Sequence, residues 1–195
     1  MRYYDYKIAD VTLRSEYDLV ALGIRGFAPF ACEVEGDCDC CFAISESVKQ
    51  YAEHSLKRLS ESYLAEADAQ GILYKTANGY LYRITPCGDK GSVIEFSIDT
   101  TTMRFTTNMF DHEVDVAILR FGLWIMFGVV LAEHDAIAIH SSAIECEGRV
   151  VLFLGESGTG KSTHTRLWCE NIEGATLLND DSPFIGIRDG KVVAY

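Results

Sequence analysis

The chain has 195 residues, 48% of them hydrophobic and 24% charged, with a net charge of −12. That length can bury a sizeable core, and the composition excludes a disordered chain. The acidic balance excludes a nucleic-acid grip, which needs a basic face to displace counterions. No apolar leader follows Met1, and seven cysteines, an odd number without a secretory context, read as reduced thiols in the cytoplasm.

Residues 2–9 and 17–24 read as strands rich in Tyr, Val and Ile. Residues 31–41 form a polar, turn-rich connection that carries Cys32, Cys38, Cys40 and Cys41. These cysteines lack the paired knuckle spacing and the nearby histidine of a structural zinc site, so we read plain thiols in a loop. Cys87, Cys146 and Cys169 read as core or partly buried thiols. Over 45–70 the apolar residues Val48, Tyr51, Ala52, Leu59, Tyr63, Leu64 and Ala67 follow helical spacing, and Gly71 reads as the stop. Two alternating runs then meet at Asn78-Gly79, a dipeptide suited to the positive φ angles of a tight type I′ turn. Residues 92–98 and 102–108 continue as strands. Residues 1–110 thus read as a mixed, largely antiparallel β domain with a helix, and they name no reaction.

A long helix is expected over 113–133. Its apolar run, 114–132, approaches membrane-spanning length, but Arg120 interrupts it and Asp115 and Glu133 flank it. A buried core helix is the better reading. Strands at 136–140 and 141–148 lead into 150–154, five apolar residues read as a strand buried on both faces. The pattern G-x-x-x-x-G-K-[ST] follows, with Gly155, Glu156, Ser157, Gly158, Thr159, Gly160, Lys161, Ser162 and Thr163. Glycines let backbone N–H groups wrap a phosphate chain, and the helix that begins near Lys161 aims its positive end at the same anion. Lys161 would reach the β- and γ-phosphates of ATP, and the Ser162 hydroxyl would take one position on Mg²⁺.

After the loop helix, residues 175–181 read as a short strand that ends in Asp180 and Asp181. A carboxylate placed there can hold Mg²⁺ while its neighbour acts as a base toward an incoming hydroxyl. Asn-Asp-Asp-Ser-Pro is equally good chemistry for a solvated turn. His140, at a strand end, gains interest only if it lies beside one of these aspartates. The last element is a hairpin around Asp189-Gly190 that ends at Tyr195, which reads as a domain incomplete at its C-terminus.

Three signatures occur in order: His140-Ser141-Ser142-Ala143, the loop 155–162, and Leu177-Leu178-Asn179-Asp180-Asp181. Together they resemble the catalytic domain of HPr kinase/phosphorylase, itself similar to the nucleotide-binding core of phosphoenolpyruvate carboxykinases. Thr163 after Ser162 is similar to the carboxykinase loop. The resemblance implies an α/β fold over 111–195, a P-loop phosphoenolpyruvate-carboxykinase-like core preceded by the mixed domain of 1–110. It implies an ATP- and Mg²⁺-dependent kinase acting on a serine of a small protein or peptide, with Asp180 as catalytic base and His140 beside it. It further implies Asp181 and Ser162 at the metal, Ser157 near the transferred group, and a homo-oligomer. The rival readings are a carboxykinase-like phosphotransferase and a nucleotide-binding protein without catalysis.

Overall fold

The computed structural model describes residues 2–43, 48–88, 91–111, 114–156 and 158–195. The protein is mixed α/β and rich in sheet, and it divides into Met1–Val130 and Leu131–Tyr195. The division falls later than residue 110 because most of the long helix packs with the first unit.

The first unit is built on one nine-stranded sheet in the order β3-β1-β2-β4-β9-β8-β7-β6-β5. Its strands are β1 (Tyr4–Ile8), β2 (Val11–Ser15), β3 (Ala31–Cys32), β4 (Cys40–Phe42), β5 (Lys57–Leu64), β6 (Ala69–Lys75), β7 (Gly79–Pro86), β8 (Ile94–Asp99) and β9 (Arg104–Thr107). All pairings are antiparallel except those of β4 with β2 and with β9. Alternation puts Leu13, Phe42, Phe105, Ile98, Phe96, Tyr82 and Ile84 on one face, all of them buried. The opposite face carries the Asp5–Arg14 pair and the Arg83–Glu95 pair, each with an N–O distance of 2.8 Å.

Helix α1 (Val116–Glu133) begins at Asp115, whose carboxylate accepts from the N–H groups of Ala117 and Ile118. It is long and apolar enough to cross a membrane by length and composition. Leu119, Leu123, Met126 and Val130 are buried and Arg120 pairs with Glu66, but only 44% of the helix is buried, so it is less enclosed than the core helix expected. At Gly122 the helix lies so close to the sheet that a Cβ would sit 2.3 Å from the fully buried Phe96 ring. Gly122→Ala gains about 1 kcal/mol of helix propensity but forces an overlap of a kind that costs about 1–3 kcal/mol. Phe96 is fully buried and its ring is not the far end of a flexible chain, so the overlap wins. Thermal unfolding of the variant is expected at a lower temperature than that of the wild type.

Several expected elements differ. Residues 45–70 are not a helix: 44–47 lie outside the described residues, and the rest leads into β5 and β6. Seven of the eight β5 residues are exposed, so their helical spacing reflects no buried stripe, and pairing with β6 decides the conformation. Gly71 does not stop a helix; it lies within β6, where a Cβ would meet the Tyr82 hydroxyl at 2.0 Å. Residues 17–24 form turns instead of a strand, because the Asp18 carboxylate captures the N–H groups of Val20 and Ala21. The β6–β7 hairpin is present, but Asn78 does not adopt positive φ, and Gly79, at φ 159°, lies outside the left-handed turn region. Two-residue hairpin turns of the kind expected there are instead found at Ala9-Asp10, Glu147-Gly148 and Asp189-Gly190, with both residues of each pair at positive φ.

The second unit holds two three-stranded sheets, β10-β14-β15 and β12-β11-β13. The first comprises β10 (Ala136–Ala138), β14 (Phe184–Arg188) and β15 (Lys191–Ala194); the second comprises β11 (Ser141–Cys146), β12 (Arg149–Leu154) and β13 (Thr176–Asn179). Helix α2 (Lys161–Asn171) joins β12 to β13. Strand β12 is not buried on both faces: it flanks β11 and every residue of it is at least partly exposed.

Candidate phosphate site

Strands β12 and β13 each run antiparallel to β11, on its two sides. They are therefore parallel to one another, and their C-terminal ends meet the N-terminal end of β11 at one edge. The glycine-rich loop 155–162 follows β12, the aspartates follow β13, and His140 precedes β11. One sheet edge thus receives all three sequence signatures.

Phe153 of β12 holds α2 in place, stacking on His164 at 5.7 Å and meeting the Trp168 ring edge-on at 5.6 Å. Thr165, on the same helix, is buried. The loop then turns through Gly158 at φ 80° and Gly160 at φ 94°, conformations that leave its peptide groups free of side-chain crowding. Gly160 is the N-cap, and among the described residues no side chain caps the helix. The first helical bond runs from the His164 N–H to the Gly160 carbonyl, which leaves the N–H groups of the first turn available to an anion.

The Lys161 ammonium donates to the carbonyls of Gly155 (2.8 Å) and Glu156 (3.1 Å) and meets His140 Nε2 at 3.2 Å. An ammonium only donates, so Nε2 accepts and the ring proton lies on Nδ1. That nitrogen faces Asp181 Oδ1 at 3.4 Å. Lys161, His140 and Asp181 therefore form a chain across the edge. Asp180 is not the residue His140 meets; its Oδ1 accepts instead from the Ser142 hydroxyl at 2.6 Å.

His140 does not end the strand expected over 136–140: β10 stops at Ala138, two residues earlier, and β11 begins just after it at Ser141. Strand β13 ends at Asn179, so Asp180 and Asp181 occupy a turn in which alternation no longer sends them to opposite faces. The Asn179 side chain accepts from the N–H groups of Asp181 and Ser182, and the Ser141 N–H donates to the Asp181 carbonyl. Ser162, Thr163, Gly155, Glu156 and Thr159 are exposed at the loop, and Thr159 donates to the Glu156 carbonyl at 2.8 Å. Ser157 lies outside the described residues. Ser142 is the participant that motif reading left without a role; its one signal was its place two residues after His140.

Among the described residues no group of three His, Cys, Asp or Glu side chains is arranged to hold a metal. Mg²⁺ shared with phosphate oxygens and water needs only one or two protein ligands, and Ser162 with Asp181 fits that requirement. All seven cysteines are free. Burial pushes the thiols of Cys32, Cys38 and, most strongly, Cys40 upward, which keeps them protonated and poor as ligands. Cys169 is exposed, contrary to the expected partial burial. Comparison with protein-family models, curated proteins and solved structures finds no match.

Proposed function

We propose that the unit Leu131–Tyr195 binds Mg·ATP at loop 155–163 and transfers the γ-phosphoryl group to a serine hydroxyl of a small protein or peptide. The observation that carries this reading is the convergence of Lys161, the uncapped α2 N-terminus, His140 and the Asp180-Asp181 turn on one sheet edge. It makes the finer fold assignment, a P-loop core like that of the carboxykinases, part of the same proposal. Phosphoryl transfer asks a protein mainly for positioning and charge neutralisation, and these residues supply both.

Lys161 exchanges its loop carbonyls for the β- and γ-phosphate oxygens, while the α2 N–H groups hold the same chain. Ser162 and Asp181 would hold Mg²⁺, which would supply charge neutralisation at the phosphate oxygens. Asp180 takes the proton of the attacking serine hydroxyl. His140 holds Asp181 and Lys161 in mutual register. Free thiols at every cysteine favour a reducing compartment, and we place the protein in the cytoplasm on that ground. The reading includes the homo-oligomer that the resemblance implies, which sedimentation of the purified chain tests.

Asp180→Asn is expected to bind Mg·ATP as the wild type does and to transfer phosphate to serine about 10²–10⁴-fold more slowly. The assay uses γ-labelled ATP and a serine peptide library. Wild-type protein that binds Mg·ATP but labels no serine would leave a nucleotide sensor. Release of CO₂ from oxaloacetate would mark a carboxykinase instead.

A further inference from the structure

We infer that Ser142 is a positioning residue, which holds the Asp180 carboxylate in one orientation with its second oxygen free to accept a proton. The inference rests on the phosphoryl-transfer reading for its functional meaning and on the contact itself for its geometry. Ser142 lies on β11, the central strand of its sheet, and is fully buried. Asp180 lies in an exposed turn, where an unrestrained aspartate would sample several rotamers. The difference in mobility sets the direction of control: the buried hydroxyl orders the exposed carboxylate.

At 2.6 Å the contact is a short, charge-assisted hydrogen bond, and it occupies Oδ1 alone. A serine hydroxyl has one proton to give, so Ser142 cannot serve both oxygens. Oδ2 is left for the acceptor. The backbone reinforces the arrangement, since the Ser141 N–H donates to the Asp181 carbonyl at 2.9 Å. Successive residues of β11 thus fix the turn twice, one through the main chain and one through a side chain. A base that is already oriented loses little freedom as the reaction proceeds, and misplacement of such a group lowers rates steeply.

The test compares wild type with Ser142→Ala, which removes the hydroxyl without adding bulk to a buried site. Three-bond couplings measured by NMR should show one staggered χ1 for Asp180 in the wild type and averaged values in the variant, with the shifts of other strands unchanged. Averaged couplings in the wild type, or identical couplings in both proteins, overturn the inference. The wild-type couplings decide alone if the variant does not fold.

The second measurement follows Mg·ATP hydrolysis with water as acceptor. Ser142→Ala should lower kcat about 10- to 100-fold at unchanged KM, and should lower it no further in an Asp180→Asn background. An equal fall in both backgrounds means that Ser142 does not act through Asp180, and sinks the idea. Failure of the wild type to bind Mg·ATP would overturn the proposed function, while the couplings would still judge the orientation of Asp180.

Discussion

Lys161→Ala is expected to weaken Mg·ATP binding by about 10- to 100-fold in calorimetric titration, the range of a lost charge-assisted hydrogen bond. The figure is a net one. The ammonium already has three contacts within the protein, to Gly155, Glu156 and His140, and binding exchanges these for phosphate oxygens. What the variant loses is the difference between the two sets, plus the positive charge beside a polyanion in a protein of net charge −12. Because Lys161 caps loop carbonyls at the surface and supports no buried element, the thermal midpoint should stay near that of the wild type. Lys161→Arg should not restore affinity, since a planar fork does not reproduce a compact ammonium that reaches between loop carbonyls. Equal binding by wild type and Lys161→Ala would remove the phosphate loop from the proposed function.

The parts of this site that were legible in the sequence are the local ones. Spacing from Gly155 to Ser162 is set by a single loop, so the motif could be read without knowing the sheet. The Asp189-Gly190 hairpin was legible for the same reason, because two adjacent residues carry the whole turn. The contacts that complete the site are not local. Ser142 meets Asp180 across 38 residues and His140 meets Lys161 across 21, and both depend on β11 lying between β12 and β13. Nothing in the spacing distinguishes that order from one with β12 and β13 adjacent. With it came the choice between the two aspartates that spacing left open, His140 meeting Asp181 and not the Asp180 that the resemblance implies, and the Ser142–Asp180 contact that sequence reasoning did not anticipate.

The first unit was less legible for a related reason. Its sheet is closed by two parallel pairings of the three-residue strand β4, which carry no local signal. The exposed strand β5 has its apolar residues at intervals that fit a helix as well as a strand, and only its partner β6 discriminates between them. Asp18 likewise turned an apolar run away from β structure through two side-chain hydrogen bonds that periodicity does not register.

Gly79→Ala is expected to destabilise the first unit by about 3 kcal/mol, a large share of the stability of an ordinary domain. Read as the second residue of a tight turn, Gly79 would be there for positive φ, and asparagine would substitute for it at little cost. The structure gives a different cause. At φ 159° the backbone is outside the left-handed turn region that asparagine tolerates and in a conformation that side-chain-bearing residues rarely adopt, and a Cβ would besides sit 2.0 Å from the Ile98 carbonyl oxygen and 3.1 Å from the Thr100 nitrogen. Both obstacles are main chain of the adjacent segment, and the Thr100 N–H is itself bonded to the Asn78 carbonyl at 2.9 Å. Relief requires β7 and β8 to separate at that end, which sacrifices ladder hydrogen bonds as well as packing. Two controls divide the explanations in chemical denaturation. Gly79→Asn should be as damaging as Gly79→Ala, because the clash begins at Cβ; near-wild-type stability for Gly79→Asn would restore the turn explanation. Asn78→Ala should be mild, because Asn78 does not adopt positive φ. The glycine is required by the closeness of two strands, and the asparagine beside it is not required by the turn.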